Sequence, residues 1–177
     1  MKEPNPMQLR FHTATADDLP ELNQLVNSAY RGDSSRKGWT TEADLLDGIR
    51  TDEAGLQEMM QEPDAAILCC RNEKDELLGC VYLKKKNNQL YLGMLTVNPE
   101  LQGGGIGKQL LMAADERART LQCSAITMTV ISVRAELIAW YERHGYHRTG
   151  ETAPFPTDPR FGIPKQALEF IVLEKDI

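Results

Sequence analysis

The sequence has no apolar run approaching the roughly 20 residues that a membrane-spanning helix needs, and its first ten residues, MKEPNPMQLR, lack the apolar centre of a secretion signal. The expectation is a cytoplasmic chain that keeps off the membrane, with residues 1–6 a flexible tail ahead of a single domain over 7–177. Basic residues are not in surplus. Twenty Lys and Arg against 26 Asp and Glu give a net charge of −6, the wrong sign for non-specific grip on a phosphate backbone, so no nucleic-acid partner is expected. Cysteine is sparse and badly spaced for metal or disulfide chemistry. Cys69, Cys70, Cys80 and Cys123 form no C-x-x-C and have no histidine pair nearby, so buried free thiols and no metal are expected. There is no internal repeat and no low-complexity tract. What remains, 41% hydrophobic and 26% charged residues in a chain of 177, suffices for one continuous core.

Along the chain, residues 7–14 alternate as a strand, and Asp17, Asp18 and Pro20 open a helix carrying Leu22, Leu25, Val26 and Ala29. Residues 31–40 have no period and read as an exposed loop. Thr41 is placed to cap a helix through Leu45, Leu46 and Ile49, with a second helical stretch over 56–61. Strands over 65–71, 77–83 and 89–97, separated by NEKDE and KKKNN, form an antiparallel meander. The third, QLYLGMLTV, is apolar on both faces and so central. A long helix follows QGGGIG, then a strand over 125–131 that should lie parallel to 89–97. A helix over 134–144, with Gly145 as its αL cap, precedes a segment with four prolines between Pro154 and Pro164 that reads as irregular loop, and a strand over 167–173 closes the chain. Lys84, Lys85 and Lys86 read as a solvated hairpin tip, and Met94, Met112 and Met128 fall at core periods.

The segment VNPELQGGGIGKQLL carries the chemistry. A buried strand runs through Gly103, Gly104, Gly105 and Gly107 into a helix whose leading N–H groups and positive dipole end suit a pyrophosphate. The bland alternative is a flexible turn. The dinucleotide fingerprint fails because Leu110 stands where its third glycine belongs; the mononucleotide P-loop fails because Gln102 and Gln109 replace its glycine and Ser/Thr.

Gln102-Gly103-Gly104-Gly105-Ile106-Gly107 resembles the Q/R-x-x-G-x-G/A motif of the GNAT superfamily of acetyl-CoA-dependent N-acetyltransferases. Leu95-Thr96-Val97-Asn98-Pro99 is similar to the end of that family's fourth strand, and the segment from Trp140 to Tyr146 to its later L-Y-E-x-x-G-F stretch. With the order of elements, the resemblance spans roughly residues 7–175. It implies an α/β (α+β) fold: a mixed, mostly antiparallel sheet of six or seven strands flanked by helices.

It also implies roles. Acetyl-CoA is the expected cosubstrate, with the backbone of Leu95, Thr96 and Val97 beside its pantetheine arm and Gln102, Gly103, Gly104, Gly105, Ile106, Gly107 and Lys108 around its pyrophosphate. Lys108 either adds charge there or is a solvated first-turn lysine, and Arg134 either contacts the cofactor or faces solvent at a helix start. Acetyl transfer needs a neutral amine, stabilisation of charge on the thioester oxygen, and a proton for the departing thiolate. The resemblance makes Tyr141 the acid, against the alternative of packing beside Trp140. Tyr91 stands where some relatives have a glutamate base, so a direct Glu base is in doubt; a tyrosine there can order a relaying water, and Glu42, His144 and His147 are further candidates.

The acceptor side is expected from two loops, 30–42 and 154–164, which set the aromatics Tyr30, Trp39, Phe155 and Phe161 beside Arg31, Glu42 and Arg160. In that scheme Glu42 attracts the amine while Arg31 or Arg160 binds an acidic group, favouring amino-acid-like acceptors over polyamines; two ordinary surface loops are the alternative. The reaction implied is direct attack by the primary amine of a small molecule or peptide in a ternary complex. Transfer of another acyl group, acetylation of a protein N-terminus or lysine, and a non-catalytic acyl-CoA sensor are the alternatives. Tyr141 weighs against the sensor and the missing strand glutamate for it. A homodimer is one option the resemblance carries.

Overall fold

A computed structural model describes residues 8–31, 41–101, 104–156 and 162–177. Its strands are β1 (Arg10–Thr13), β2 (Leu46–Asp47), β3 (Ala65–Arg71), β4 (Leu77–Lys86), β5 (Gln89–Val97), β6 (Ala125–Ile131), β7 (His147–Pro154), β8 (Ile163–Pro164) and β9 (Glu169–Asp176). Its α-helices are α1 (Leu19–Tyr30), α2 (Glu53–Gln61), α3 (Ile106–Thr120) and α4 (Ala135–Arg143). Seven strands form one sheet in the order β1-β3-β4-β5-β6-β9-β7, with β5 in the middle, and β2 pairs with β8 in a small second sheet. All ladders are antiparallel except β5 with β6, which are joined through α3. No described helix is long and apolar enough to cross a membrane.

The meander arises because β3, β4 and β5 are apolar runs divided by turns whose tips take positive φ at Asp75 (+64°) and Asn87 (+54°). Both faces of β5 are covered. On one side α1 and α2 bring Leu22, Val26, Ala29 and Leu56 onto Ile67, Cys80 and Met94; on the other α3 and α4 bring Leu110, Leu111, Ala114 and Ile138 onto Val81, Leu92 and Leu173. Truncating a fully buried leucine such as Leu22 or Leu110 to Ala typically costs about 2–5 kcal/mol. Helix α4 ends as its sequence requires. Gly145 takes φ +97°, and the N–H groups of Gly145 and Tyr146 bond back to Glu142 O (3.2 Å) and Tyr141 O (3.1 Å). All four cysteines are buried free thiols.

The central strand carries an irregularity that positions everything below. Against β4, Cys80 faces Thr96 but Tyr82 faces Gly93, so one residue of β4 is matched by Met94 and Leu95 together. This is a β-bulge, and Met94 absorbs it at φ +53°. The alternation slips by one. Leu90 and Leu92 face the α3 side, yet so do Leu95 and Val97, while Tyr91 and Met94 face α1. Beyond the bulge β5 leaves β6. Their ladder covers only Gln89–Tyr91 against Ala125–Thr127, while β6 continues on β9 as far as Ile131.

Four expectations need correction. Residues 41–49 do not form a helix; one turn, with Leu45 and Leu46 N–H bonded to Glu42 O (both 2.9 Å), leads into β2, which pairs with β8. The proline-rich stretch is not wholly irregular, because β7 runs to Pro154 and β8 takes Ile163–Pro164. Residues 147–154, unassigned from sequence, are the edge strand β7. Met112 is 52% exposed on α3, whereas Met94 and Met128 are buried.

Arg71, at the end of β3, ties the sheet to the start of α1. Its guanidinium donates to Asp18 Oδ1 (2.7 Å), to Glu21 Oε2 and Oε1 (3.1 and 3.2 Å), to Asp75 O (2.8 Å) and to His12 Nε2 (3.1 Å). Burial opposes the charge on Asp18, but the Thr15 N–H, Arg71 and His12 outweigh it and hold its pKa below the ordinary value. Removing Arg71 strands a buried carboxylate. Arg71→Met should therefore lose about 3–5 kcal/mol in urea unfolding at pH 7, and an unchanged midpoint would contradict this. Because Asp18 has a depressed folded pKa, its contribution is present above the unfolded value of about 4 and is lost as pH falls through the folded one. The stability gap between wild type and Asp18→Asn should close over that acid range and not above it.

Candidate active site

The divergence of β5 and β6 opens a cavity of about 400 Å³ through the middle of the sheet. Its floor is Leu92, Gly93, Met94 and Leu95 from β5 and Met128, Thr129, Val130 and Ile131 from β6. Tyr30 and Arg31 enter from the end of α1, Glu42 and Arg50 from either side of β2, Arg134 and Tyr141 from α4 and its start, and Phe155 and Phe170 from the β7–β9 side.

Tyr141 is buried, with its ring edge-on to Trp140 (5.1 Å between centroids) and to Tyr146 (5.8 Å). Its hydroxyl makes no hydrogen bond among the described residues. Burial, with help from Tyr30 and Tyr146, pushes its pKa well above the ordinary 10, so at neutral pH it is a protonated donor. Tyr91 reaches the same cavity with its hydroxyl 3.5 Å from Thr129 Oγ1. Gly93 permits this: a Cβ there would stand 3.0 Å from the Tyr91 ring. Tyr30 Oη donates to Leu95 O, clamping α1 to the bulge, and burial raises its pKa to about 12.

The charged groups form a chain. Arg31 Nε and Nη2 donate to Glu42 Oε1 (3.2 and 3.0 Å), Arg31 Nη1 donates to Ile49 O (2.9 Å), and Arg134 Nη1 lies 3.8 Å from Glu42 Oε2. All three side chains are nearly inaccessible, so Arg134 is not a solvent-facing helix-start residue. Glu42 presents its oxygens to arginines and not to an incoming amine. That removes its expected role as a free attractor, and Arg31 is likewise already filled. His144 bonds through Nδ1 to Trp140 O (2.7 Å), His147 is exposed on β7, and neither lines the cavity.

At the far end of the divergence β5 leads through Pro99–Leu101 to the glycine turn. Gly105 takes φ +82° as the N-cap of α3, and a Cβ on it would meet nothing within 4 Å, so space lies open in front of the helix. The first intrahelical bond is Gln109 N–H to Gly105 O (3.0 Å), which leaves the N–H groups of Ile106, Gly107 and Lys108 ahead of the ladder. Three convergent donors and a positive dipole end at an open surface fit a pyrophosphate. Gly107 also serves packing: a Cβ there would lie 3.3 Å from the Trp140 ring. Lys108 is exposed in the first turn and Gly104 is exposed beside it. Gln102, Gly103, Trp39, Arg160 and Phe161 lie outside the described residues.

Sequence reasoning missed Arg50, Thr129 and Phe170 as cavity residues. Thr129 and Phe170 had a signal, since they lie on the two strands beside the divergence. Arg50 had none, because residues 41–49 were expected to be helical.

The sequence matches the Acetyltransferase (GNAT) family over residues 20–146. It is 26% identical over 102 residues to an IAA acetyltransferase from Azospirillum brasilense, a match covering 56% of this chain and 66% of that protein. The structure superposes on the ribosomal-protein-S18-alanine N-acetyltransferase from Escherichia coli with a TM-score of 0.71 and 14% identity, over 96% of this chain and 94% of the other. It superposes on the PaiA N-acetyltransferase from Thermoplasma acidophilum, solved in complex with coenzyme A, with a TM-score of 0.68 and 18% identity, over 97% and 100% of the two chains. At those identities the likeness is one of fold, and the family match carries the assignment: this chain belongs to the GNAT family of N-acetyltransferases.

Proposed function

We propose that the protein transfers the acetyl group of acetyl-CoA to the primary amine of a small molecule, with both substrates bound together. The observation that carries this reading is the divergence of β5 from β6, which opens a cavity holding Tyr141 on the strand that leads on to the open N-terminus of α3. Residues Gly104 to Lys108 would hold the pyrophosphate, and the edge of β5 from Leu95 to Val97 would lie along the pantetheine. When bound, acetyl-CoA supplies an activated acyl carbon and a thiolate leaving group.

The protein's own part is to position, to exclude water and to manage two protons. Tyr141 Oη is the protonated group facing the cavity and gives its proton to the sulfur as it departs. The acceptor must arrive neutral. Three guanidiniums and one carboxylate line the cavity among the described residues, and this positive excess disfavours an ammonium ion. Tyr91 and Thr129 offer hydroxyls through which a water can carry the amine proton away. A small acceptor is favoured over a folded protein because α1, β2 and α4 all contribute side chains around the cavity.

Two outcomes follow. Acetyl-CoA at about a hundredfold over its dissociation constant should stabilise the fold by roughly 2.7 kcal/mol, seen as a raised Tm. Gly105→Val, which forces a branched side chain into positive φ in front of the donors, should remove that shift while its circular dichroism stays native; a full shift in folded Gly105→Val would refute the cradle. Tyr141→Phe should lower kcat about a hundredfold, near the low end for a lost general acid because a thiolate leaves readily, with acetyl-CoA affinity nearly unchanged. Equal turnover from pH 6 to 9 would reduce Tyr141 to a packing residue.

A further inference from the structure

Among the charged groups of the cavity, Arg50 stands apart. Arg31 has its fork filled by Glu42 and Ile49 O, and Arg134 faces the remaining Glu42 oxygen. Arg50 is held firmly at its backbone, where Asn27 Oδ1 accepts its N–H at 2.7 Å, and Asn27 also bonds both the N–H and the O of Thr51 (3.2 and 2.9 Å). Its guanidinium carbon lies 5.4 Å over the Tyr30 ring. A cation–π contact uses the face of the guanidinium and leaves its N–H edges free, and no carboxylate or carbonyl among the described residues meets them. Among the described residues the cavity thus holds an anchored cation without an anion, in surroundings where Glu42 balances one of three guanidiniums. Phe155 and Phe170 also line the cavity, their tilted rings 5.1 Å apart between centroids, and give it an apolar wall.

We infer that the acceptor is an amine that also carries a carboxylate, and that Arg50 binds this carboxylate through its free N–H edge while the acceptor's apolar body lies against Phe155 and Phe170. The inference rests on the acetyl-transfer reading and adds the acceptor's class. A planar carboxylate matches the guanidinium fork, and the cation–π contact with Tyr30 fixes the plane of that fork without consuming its donors. The role expected of Arg31 from sequence passes to Arg50, while Arg160 lies outside the described residues.

The test compares amines that differ only in the carboxylate: L-phenylalanine with 2-phenylethylamine, and L-leucine with 3-methylbutylamine, with spermidine as a polycation. Thiol release is followed for wild type, Arg50→Met and Arg50→Lys, and acetyl-CoA binding to each is measured by calorimetry. Wild type should favour the carboxylate member of at least one pair by tenfold or more in kcat/KM. Arg50→Met should raise KM for that member about 10- to 100-fold, the range of a charge-assisted hydrogen bond, while KM for the decarboxylated partner stays within about threefold. Arg50→Lys should recover part of the loss. The inference is overturned if decarboxylated amines or spermidine are the better acceptors, or if Arg50→Met weakens both members of a pair equally, which would make Arg50 a support for Tyr30 alone. Normal acetyl-CoA binding with turnover of uncharged-tail amines only would sink this inference and leave the acetyltransferase reading standing; absence of acetyl-CoA binding would sink both. Should no amine turn over, titration of L-phenylalanine and 2-phenylethylamine into the CoA-saturated protein decides, and equal or absent binding of the two counts against the proposal.

Discussion

The central strand holds one residue more than its neighbour β4 can match, and Met94 takes φ +53° to accommodate it. A non-glycine residue held there costs of order 1–3 kcal/mol, so the surrounding structure must over-determine it. It does: Tyr30 donates to Leu95 O from one side, Thr96 Oγ1 closes on Met94 O at 2.8 Å, and Leu92, Leu95 and Val97 are buried in the core on the other. The consequence is topological. With its register shifted, β5 stops pairing with β6 after Tyr91, and the sheet opens at its centre, between two buried layers. The cavity and the residues converging on it follow from that departure.

The electrostatics follow from where the opening lies. A cavity through the middle of a sheet is screened from solvent, so phenols there stay protonated and cations there act at longer reach than on the surface. Burial raises the pKa of both Tyr30 and Tyr141 above the ordinary 10, so the two hydroxyls stay protonated even in alkaline solution. Arginine suits this setting better than lysine, because its charge survives desolvation and its planar fork can be ordered by an aromatic face or a carboxylate. Arg31, Arg50 and Arg134 show three such orderings: Glu42 with a backbone carbonyl, the Tyr30 ring, and Glu42 again.

Much of this was legible in the sequence. QLYLGMLTV is apolar enough on both faces to mark the central strand, and its adjacent Met94 and Leu95, where strict alternation fails, are the written trace of the bulge. The glycine turn was legible as a set of backbone donors at a helix start because that depends on local pattern, whereas Tyr141 was singled out by the resemblance of the W-Y-E-R-H-G-Y segment to the family's stretch. The local structure of residues 41–49 was misread for the opposite reason. Leu45, Leu46 and Ile49 have helical spacing, but residues 46–47 pair with 163–164, more than a hundred residues away, and Gly48 at φ +87° ends any helix. No local pattern reports a pairing of that range. Strand β7 was invisible because an edge strand exposed on both faces has no apolar alternation, and HRTGETAP also contains Gly150 at φ +88°. Arg50 was missed because its position depends on the β2–β8 pairing and on the Asn27 anchor.

The central claim is that the divergence of β5 and the N-terminus of α3 form one continuous binding surface. Amide hydrogen exchange with and without acetyl-CoA tests it residue by residue. The account predicts slowed exchange at Ile106, Gly107 and Lys108 together with Leu95 to Val97, and unchanged exchange in β1 and β3 on the other half of the sheet. Acetyl-CoA binding that left both segments unprotected, or that protected the helix start without β5, would contradict it.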